Sequence, residues 1–156
     1  GKDDDVLGGG DGADLVQGGA GHDTVSGHSA DGAGGTASAT DGADTLSGGL
    51  GDDLLIIGRG DTAVGGEGAD SFSLDARLND TTAIATISDF LRGTDQIELV
   101  YTPRYDSGGA EIPPDLRVLS GPNGAYSVIM LDGEPVAHVT GVSDLTVAEV
   151  TLVRDI

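Results

Sequence analysis

The chain has no cysteine, which excludes a disulfide framework, thiolate nucleophiles and sulfur metal ligands. Aromatic residues are scarce: three tyrosines, two phenylalanines and no tryptophan. Any core must therefore be built from small aliphatic side chains. Basic residues are few as well, since 7 Lys and Arg stand against 27 Asp and Glu, for a formal charge of −20 over 156 residues. That sign argues against nucleic acid, whose phosphates demand positive charge, and against anionic membrane surfaces. No apolar run approaches the roughly 20 residues of a membrane-spanning helix, so membrane insertion is not expected. Neither an initiating methionine nor a signal-like leader is present, and the chain reads as an excised piece of a longer protein. The partners that suit so acidic a surface are cations.

Glycine is what the chain has in excess. Of its 28 glycines, 21 fall within residues 1–73, and the change in composition near Ser73 marks a boundary between two regions. Glycine is a poor builder of regular structure because ordering it costs the most backbone entropy, so its spacing needs a reason. The spacing is a nonapeptide, Gly-Gly-x-Gly-x-Asp-x-apolar-x. "GGDGADLVQ" (9–17), "GGAGHDTVS" (18–26), "GGLGDDLLI" (48–56) and "GGEGADSFS" (65–73) match it at every specified position. "GKDDDVLG" (1–8) lacks the first residue, "DGADTLS" (41–47) holds the last seven positions, and "IGRGDTAV" (57–64) is one residue short. Between Asp23 and Asp44 the register breaks, and "GHSADGAGGTASAT" (27–40) reads as a degenerate copy around Asp31 followed by a small, flexible loop.

The chemistry of this period points to a hard cation. Glycines adopt positive φ without steric cost and let a tight turn aim several carbonyls at one point. An aspartate in the same turn adds a carboxylate, and calcium takes six to eight such oxygens in flexible geometry. The apolar eighth positions, Leu7, Val16, Val25, Leu46, Leu55, Ala63 and Phe72, are the inward residues of strands too short to stand alone. They need stacked neighbours above and below, about 4.8 Å apart.

The pattern resembles the RTX (repeats-in-toxin), or haemolysin-type, calcium-binding repeat. The resemblance implies an all-β, right-handed parallel β-roll in which two nonapeptides make one coil and each ion sits between turns one coil apart. The first turn would give the carbonyls of its second and fourth residues and its aspartate. The second would give the carbonyls of its first and third residues and its aspartate. Transferred to this chain, one site uses Gly1, Asp3 and Asp5 with Gly18, Ala20 and Asp23. Another uses Gly49, Gly51 and Asp53 with Gly65, Glu67 and Asp70. Gly10, Gly12 and Asp14 form a further first half whose partner turn falls in 27–32, and Gly19, Gly21 and Asp23 would face Ala39, Asp41 and Asp44. Asp44, with Gly42 in its turn, pairs with Asp61. Three to five Ca2+ ions are expected.

Residues 74–156 lose the period. "ISDFLRGTDQIEL" (87–99) resembles the segment that follows the last repeats in that family, with Asp89 or Asp95 closing a final site with Gly66, Gly68 and Asp70. "YSVIMLDGEPVAHVTGV" (126–142) reads as a hairpin turning at Asp132-Gly133. "DLTVAEVTLV" (144–153) fits a strand or one helical turn. These elements are expected to cap the roll as a β-rich region. The terminal "LVRDI" resembles the tail of proteins exported by type I secretion, which implies a secreted bacterial protein and the secretion machinery as a partner.

No active site is legible. His22, His28 and His138 are scattered, the Asp52-Asp53 pair is a turn filler beside a ligand, and "RGD" (59–61) spends its aspartate on the repeat. The reading is a non-enzymatic module that folds on calcium outside the cell and supports a larger secreted protein. The alternative is a module that binds a polysaccharide or cell surface, like the repeat modules of alginate epimerases. Its basic residues for an acidic polymer would be Arg77, Arg92, Arg104, Arg117 and Arg154.

Overall fold

The computed structural model describes residues 1–27, 42–77 and 83–155. Each repeat turns its apolar eighth position inward on a short strand. The first nine strands are β1 (Val6–Gly8), β2 (Leu15–Ala20), β3 (Thr24–Ser26), β4 (Thr45–Leu50), β5 (Leu54–Ile57), β6 (Thr62–Glu67), β7 (Ser71–Asp75), β8 (Ala85–Ile87) and β9 (Gln96–Tyr101). Odd-numbered strands stack in one sheet and even-numbered strands in the other, and every neighbour among these nine is parallel. Successive strands therefore alternate between two facing sheets, which is a parallel β-roll.

Stacking aligns the inward residues into two columns. In the first sheet Leu7, Val25, Leu55, Phe72 and Ile97 are register partners in turn. In the second, Val16, Leu46, Ala63 and Ile87 are. All but the partly buried Leu7 lie in the core. Phe72 is fully buried and meets Phe90 edge-on, with ring centroids 6.4 Å apart. Burying a side chain of that size stabilises by about 1.5–3 kcal/mol. With so few aromatics, this pair is the bulkiest filling the roll has.

The sheets continue without a break past Ser73. The remaining strands are β10 (Arg104–Tyr105), β11 (Glu111–Ile112), β12 (Leu116–Ser120), β13 (Tyr126–Leu131), β14 (Glu134–Thr140) and β15 (Val150–Arg154). β13 and β14 form the expected hairpin, with positive φ at both Asp132 (54°) and Gly133 (90°), as a two-residue primed turn requires. β14 then adds in parallel to β8, and β15 adds in parallel to β9. Val139 thereby extends one inward column and Val150 the other. The segment 144–153 is both of the things its pattern allowed, a 3-10 turn at Val147–Glu149 running into β15. The end strands of the roll are covered at this side, which removes two exposed edges.

Candidate metal centre

The turns between strands carry the aspartates, and the glycines make the turns possible. Gly49 and Gly51 have φ of 123° and 121°, a region closed to ordinary L-residues. A Cβ at Gly49 would strike the carbonyl oxygen of Gly19, and one at Gly51 that of Gly21. The second and fourth repeat positions are thus doubly reserved, by backbone angle and by the carbonyls of the adjacent coil. The first position is reserved by a third constraint. A Cβ on Gly18, Gly48 or Gly65 would overlap the Oδ2 of the aspartate closing the same turn.

Those aspartates form two ladders, one along each edge of the roll. On one edge Asp5 N donates to Asp23 Oδ1 (2.8 Å), Asp23 N to Asp53 Oδ1 (2.8 Å), Asp53 N to Asp70 Oδ1 (2.9 Å) and Asp70 N to Asp95 Oδ1 (3.1 Å). On the other, Asp14 N donates to Asp44 Oδ1 (2.8 Å) and Asp44 N to Asp61 Oδ1 (3.0 Å). Beyond Asp61, Thr62 faces Thr86, which sets Ala85 at the next register position.

One oxygen of each carboxylate is spent on the ladder; the other is the informative one. The Oδ2 atoms of Asp14, Asp23 and Asp53 are buried and accept no hydrogen bond. A buried, unpartnered carboxylate oxygen is expensive. Burial pushes the Asp53 carboxyl above its ordinary value, with repulsion from Asp23 adding to it. Burial does the same at Asp70, with repulsion from Asp95, Asp53 and Asp89 behind it. Among the described residues no three His, Asp or Glu side chains converge. Among the described residues each ladder bond links two carboxylate-bearing turns, and the carbonyls of those turns lie beside them. Carboxylate pairs within glycine turns crowded with carbonyls are a set of hard oxygen donors that fits calcium. When bound, the ion supplies two positive charges and links one coil to the next.

The predicted site residues are distributed as follows. Gly1 N donates to Gly18 O, and Ala20 N donates to Gly1 O, bringing the Asp5 and Asp23 turns together; Asp3 lies in the first of these. Gly51 N donates to Glu67 O, which joins the Asp53 and Asp70 turns that also hold Gly65, Gly66 and Gly68. Gly10 N donates to Gly27 O, and Gly42 N donates to Gly12 O. The partner turn of Asp14 therefore begins at Gly27 and resumes at Gly42. The intervening residues, with Asp31, Ala39 and Asp41, lie outside the described ones.

One pairing differs from expectation. The Gly19, Gly21 and Asp23 turn stacks on Gly49, Gly51 and Asp53, not on Asp44. Consecutive turns lie on opposite edges, so an insertion within one turn lengthens the coil seen from both. Asp14 to Asp44 and Asp23 to Asp53 each step 30 residues, against 18 from Asp5 to Asp23. Beyond the repeats, Asp95 rather than Asp89 continues the ladder. Asp89 instead accepts the N–H groups of Gly65 and Gly66 at 2.9 Å each.

Sequence reasoning passed over an outer ladder at the fifth repeat position. His22 N donates to Asp4 Oδ1, Asp52 N to His22 Nδ1 and Ala69 N to Asp52 Oδ1. The signal was available: each of the three side chains offers an acceptor at the same place in its repeat.

The RTX calcium-binding nonapeptide repeat, a family described as four copies, matches residues 1–32 and again 29–62. Residues 1–62 are thus similar to an array of RTX repeats. RTX repeats bind Ca2+. Among solved structures, the AlgE6R3 subunit of the Azotobacter vinelandii mannuronan C5-epimerase superposes with a TM-score of 0.58 at 24% identity. The alignment covers 89% of this chain and 77% of that one. At this identity the likeness is one of fold, and it extends well beyond the RTX array into the capping strands. A comparison with curated proteins gave no match.

Proposed function

We propose that the chain is a calcium-dependent folding module, non-catalytic itself, that supports the export and stability of a larger secreted protein. The observation that carries this reading is the set of buried Oδ2 atoms of Asp14, Asp23 and Asp53, which accept no hydrogen bond. Without a cation, a row of carboxylates stacked one coil apart opposes its own folding. With one, binding free energy becomes folding free energy. Four ions fit the pairs that leave such an oxygen: Asp5 with Asp23, Asp23 with Asp53, Asp53 with Asp70, and Asp14 with Asp44.

Extracellular calcium modules bind with Kd on the order of 0.1–1 mM, far above resting cytosolic calcium. The chain would stay unfolded in a bacterial cytoplasm, as its charge favours. It would pass a type I exporter in that state and wind up outside. Calorimetric calcium titration followed by circular dichroism tests this. Coupled uptake of about four ions with a coil-to-β transition supports it. A chain that is fully β-structured after exhaustive calcium removal overturns it.

A further inference from the structure

The turn of Asp95 is built differently from the turns it stacks on. Four residues before the aspartate, those turns carry a glycine at positive φ: Gly19 before Asp23, Gly49 before Asp53 and Gly66 before Asp70, at 117°, 123° and 109°. Before Asp95 that place belongs to Leu91. Its φ is not positive, because the left-handed region is closed to such a side chain. The backbone must therefore close this turn by another route.

That route consumes the groups that a cation would use. Leu91 O accepts the N–H of Thr94 at 3.1 Å and of Asp95 at 2.9 Å. The carbonyl is thus spent within its own turn, and Asp95 N points back to it instead of on to a further coil. In return Leu91 N donates to Asp95 Oδ2 at 2.7 Å, while Oδ1 accepts the N–H of Asp70. In the Asp23 and Asp53 turns Oδ2 is buried and accepts no hydrogen bond. Here it holds the positive end of a peptide dipole, and such a bond stabilises the carboxylate charge without metal.

Asp89, the other acid of this segment, is provided for in the same way, with Gly65 N on Oδ1 and Gly66 N on Oδ2. The strand that follows offers no further carboxylate in the row. β15 pairs Val150 with Ile97, which sets Ala148 at the register position beyond Asp95.

We propose that Asp95 is a metal-free stop: it ends its ladder on backbone N–H groups, and the ion between Asp53 and Asp70 is the last on that edge. Asp89 and Asp95 then leave the ligand set, although the repeat pattern alone would include one of them. The assignment rests on the calcium reading of the Asp23, Asp53 and Asp70 turns. It also gives the turn sequence a meaning, since glycine four residues before the aspartate continues this row of ions and leucine closes it.

Equilibrium dialysis against saturating radioactive calcium counts the ions on the parent chain, Asp53→Asn and Asp95→Asn. Asp95→Asn should carry as many as the parent, with a midpoint raised about two- to threefold, one charge-assisted hydrogen bond shared among four ions. Asp53→Asn should carry fewer. A second readout needs no variant to fold. Replacing calcium by lanthanum in the folded parent should move the carboxyl carbon signals of Asp23 and Asp53 and leave those of Asp89 and Asp95 in place. A β-structured Asp95→Asn chain that binds one ion fewer, or an Asp95 carboxyl signal that moves with that of Asp53, would overturn the stop. A parent chain that binds no calcium would instead remove the reading on which the stop rests, so the two failures are told apart.

Discussion

Asp23 donates its backbone N–H to the side chain of Asp53, 30 residues later, at 2.8 Å. Asp53 in turn donates its own N–H to Asp70 Oδ1, so one residue joins three coils and lies between two of the proposed ions. Asp53→Asn keeps an acceptor for the ladder and removes the charge; Asp53→Ala removes both. The calcium midpoint, read by circular dichroism, should rise several-fold for Asn and further for Ala. An Asp53→Asn midpoint equal to that of the parent would mean that the carboxylate charge plays no part.

Backbone geometry supplies a second test. Gly51→Ala combines a φ of 121° with a Cβ driven into the carbonyl of Gly21. Gly133→Ala meets nothing within 4 Å at a φ of 90°. The hairpin variant should lose only about 1–2 kcal/mol, the left-handed strain of one residue. The turn variant should fail to reach the β-rich state at millimolar calcium. Comparable thermal shifts in both would argue that the turn can relax around an added methyl.

Much of this was legible because the repeat is short and strict. A nine-residue period that alternates turn and strand makes the inward column readable, and Val16, Val25, Leu46, Leu55, Ala63 and Phe72 are all buried. The stacking of Asp23 on Asp53 was not legible, because counting along the chain does not say which edge of the roll a turn occupies once the register breaks. Nor could a local pattern place β15 beside β9. That pairing joins residues such as Val150 and Ile97, and it arises from the need to cover an open sheet edge rather than from any motif. Asp89 was seen as an acid near the last repeat, but its bond to two adjacent N–H groups exists only in three dimensions.

Acidity should act in opposite directions on the two states. The Asp53 and Asp70 carboxyls are raised above 3.8 in the metal-free fold, chiefly by burial. A raised acid binds its proton more tightly folded than unfolded, so its favourable contribution is complete below 3.8 and disappears as pH climbs through the folded value. Calcium-free protein, prepared by exhaustive dialysis, should gain β-structure on acidification toward pH of about 4. In calcium the same acidification should raise the midpoint, because protons and metal compete for one carboxylate. Far-ultraviolet dichroism against pH, with and without metal, would reveal both trends; a calcium-free spectrum that never changes would contradict the first.

Phe72 tests how far the thin core governs calcium affinity. It is fully buried against Phe90, and Phe→Ala at such a site costs about 3–5 kcal/mol. Folding and binding are one process here, so the loss is divided among the ions. For four ions and about 4 kcal/mol, the midpoint should rise about fivefold. Val6→Ala, at a side chain 63% exposed, should leave it in place. A Phe72→Ala midpoint equal to that of the parent would separate core packing from metal uptake.

The insertion offers the most direct test of the register. Its coil steps 30 residues where the first coil steps 18, an excess of twelve. Removing residues 29–40 joins Gly27 and His28 directly to Asp41, giving "GHDGADTLS", a nonapeptide complete except for histidine at its second position. Gly27 and Gly42 already bond to the Asp14 turn through Gly10 and Gly12, so the shortened turn should close on the same partners. A shorter loop also costs less to close. The deletion variant should therefore take up as many ions as the parent, at an equal or lower calcium midpoint, and His28→Gly within it should lower the midpoint further by completing the turn. A deletion variant that binds calcium without folding would show that the removed residues hold part of the structure, and that Asp14 and Asp44 are not brought together by the repeat alone.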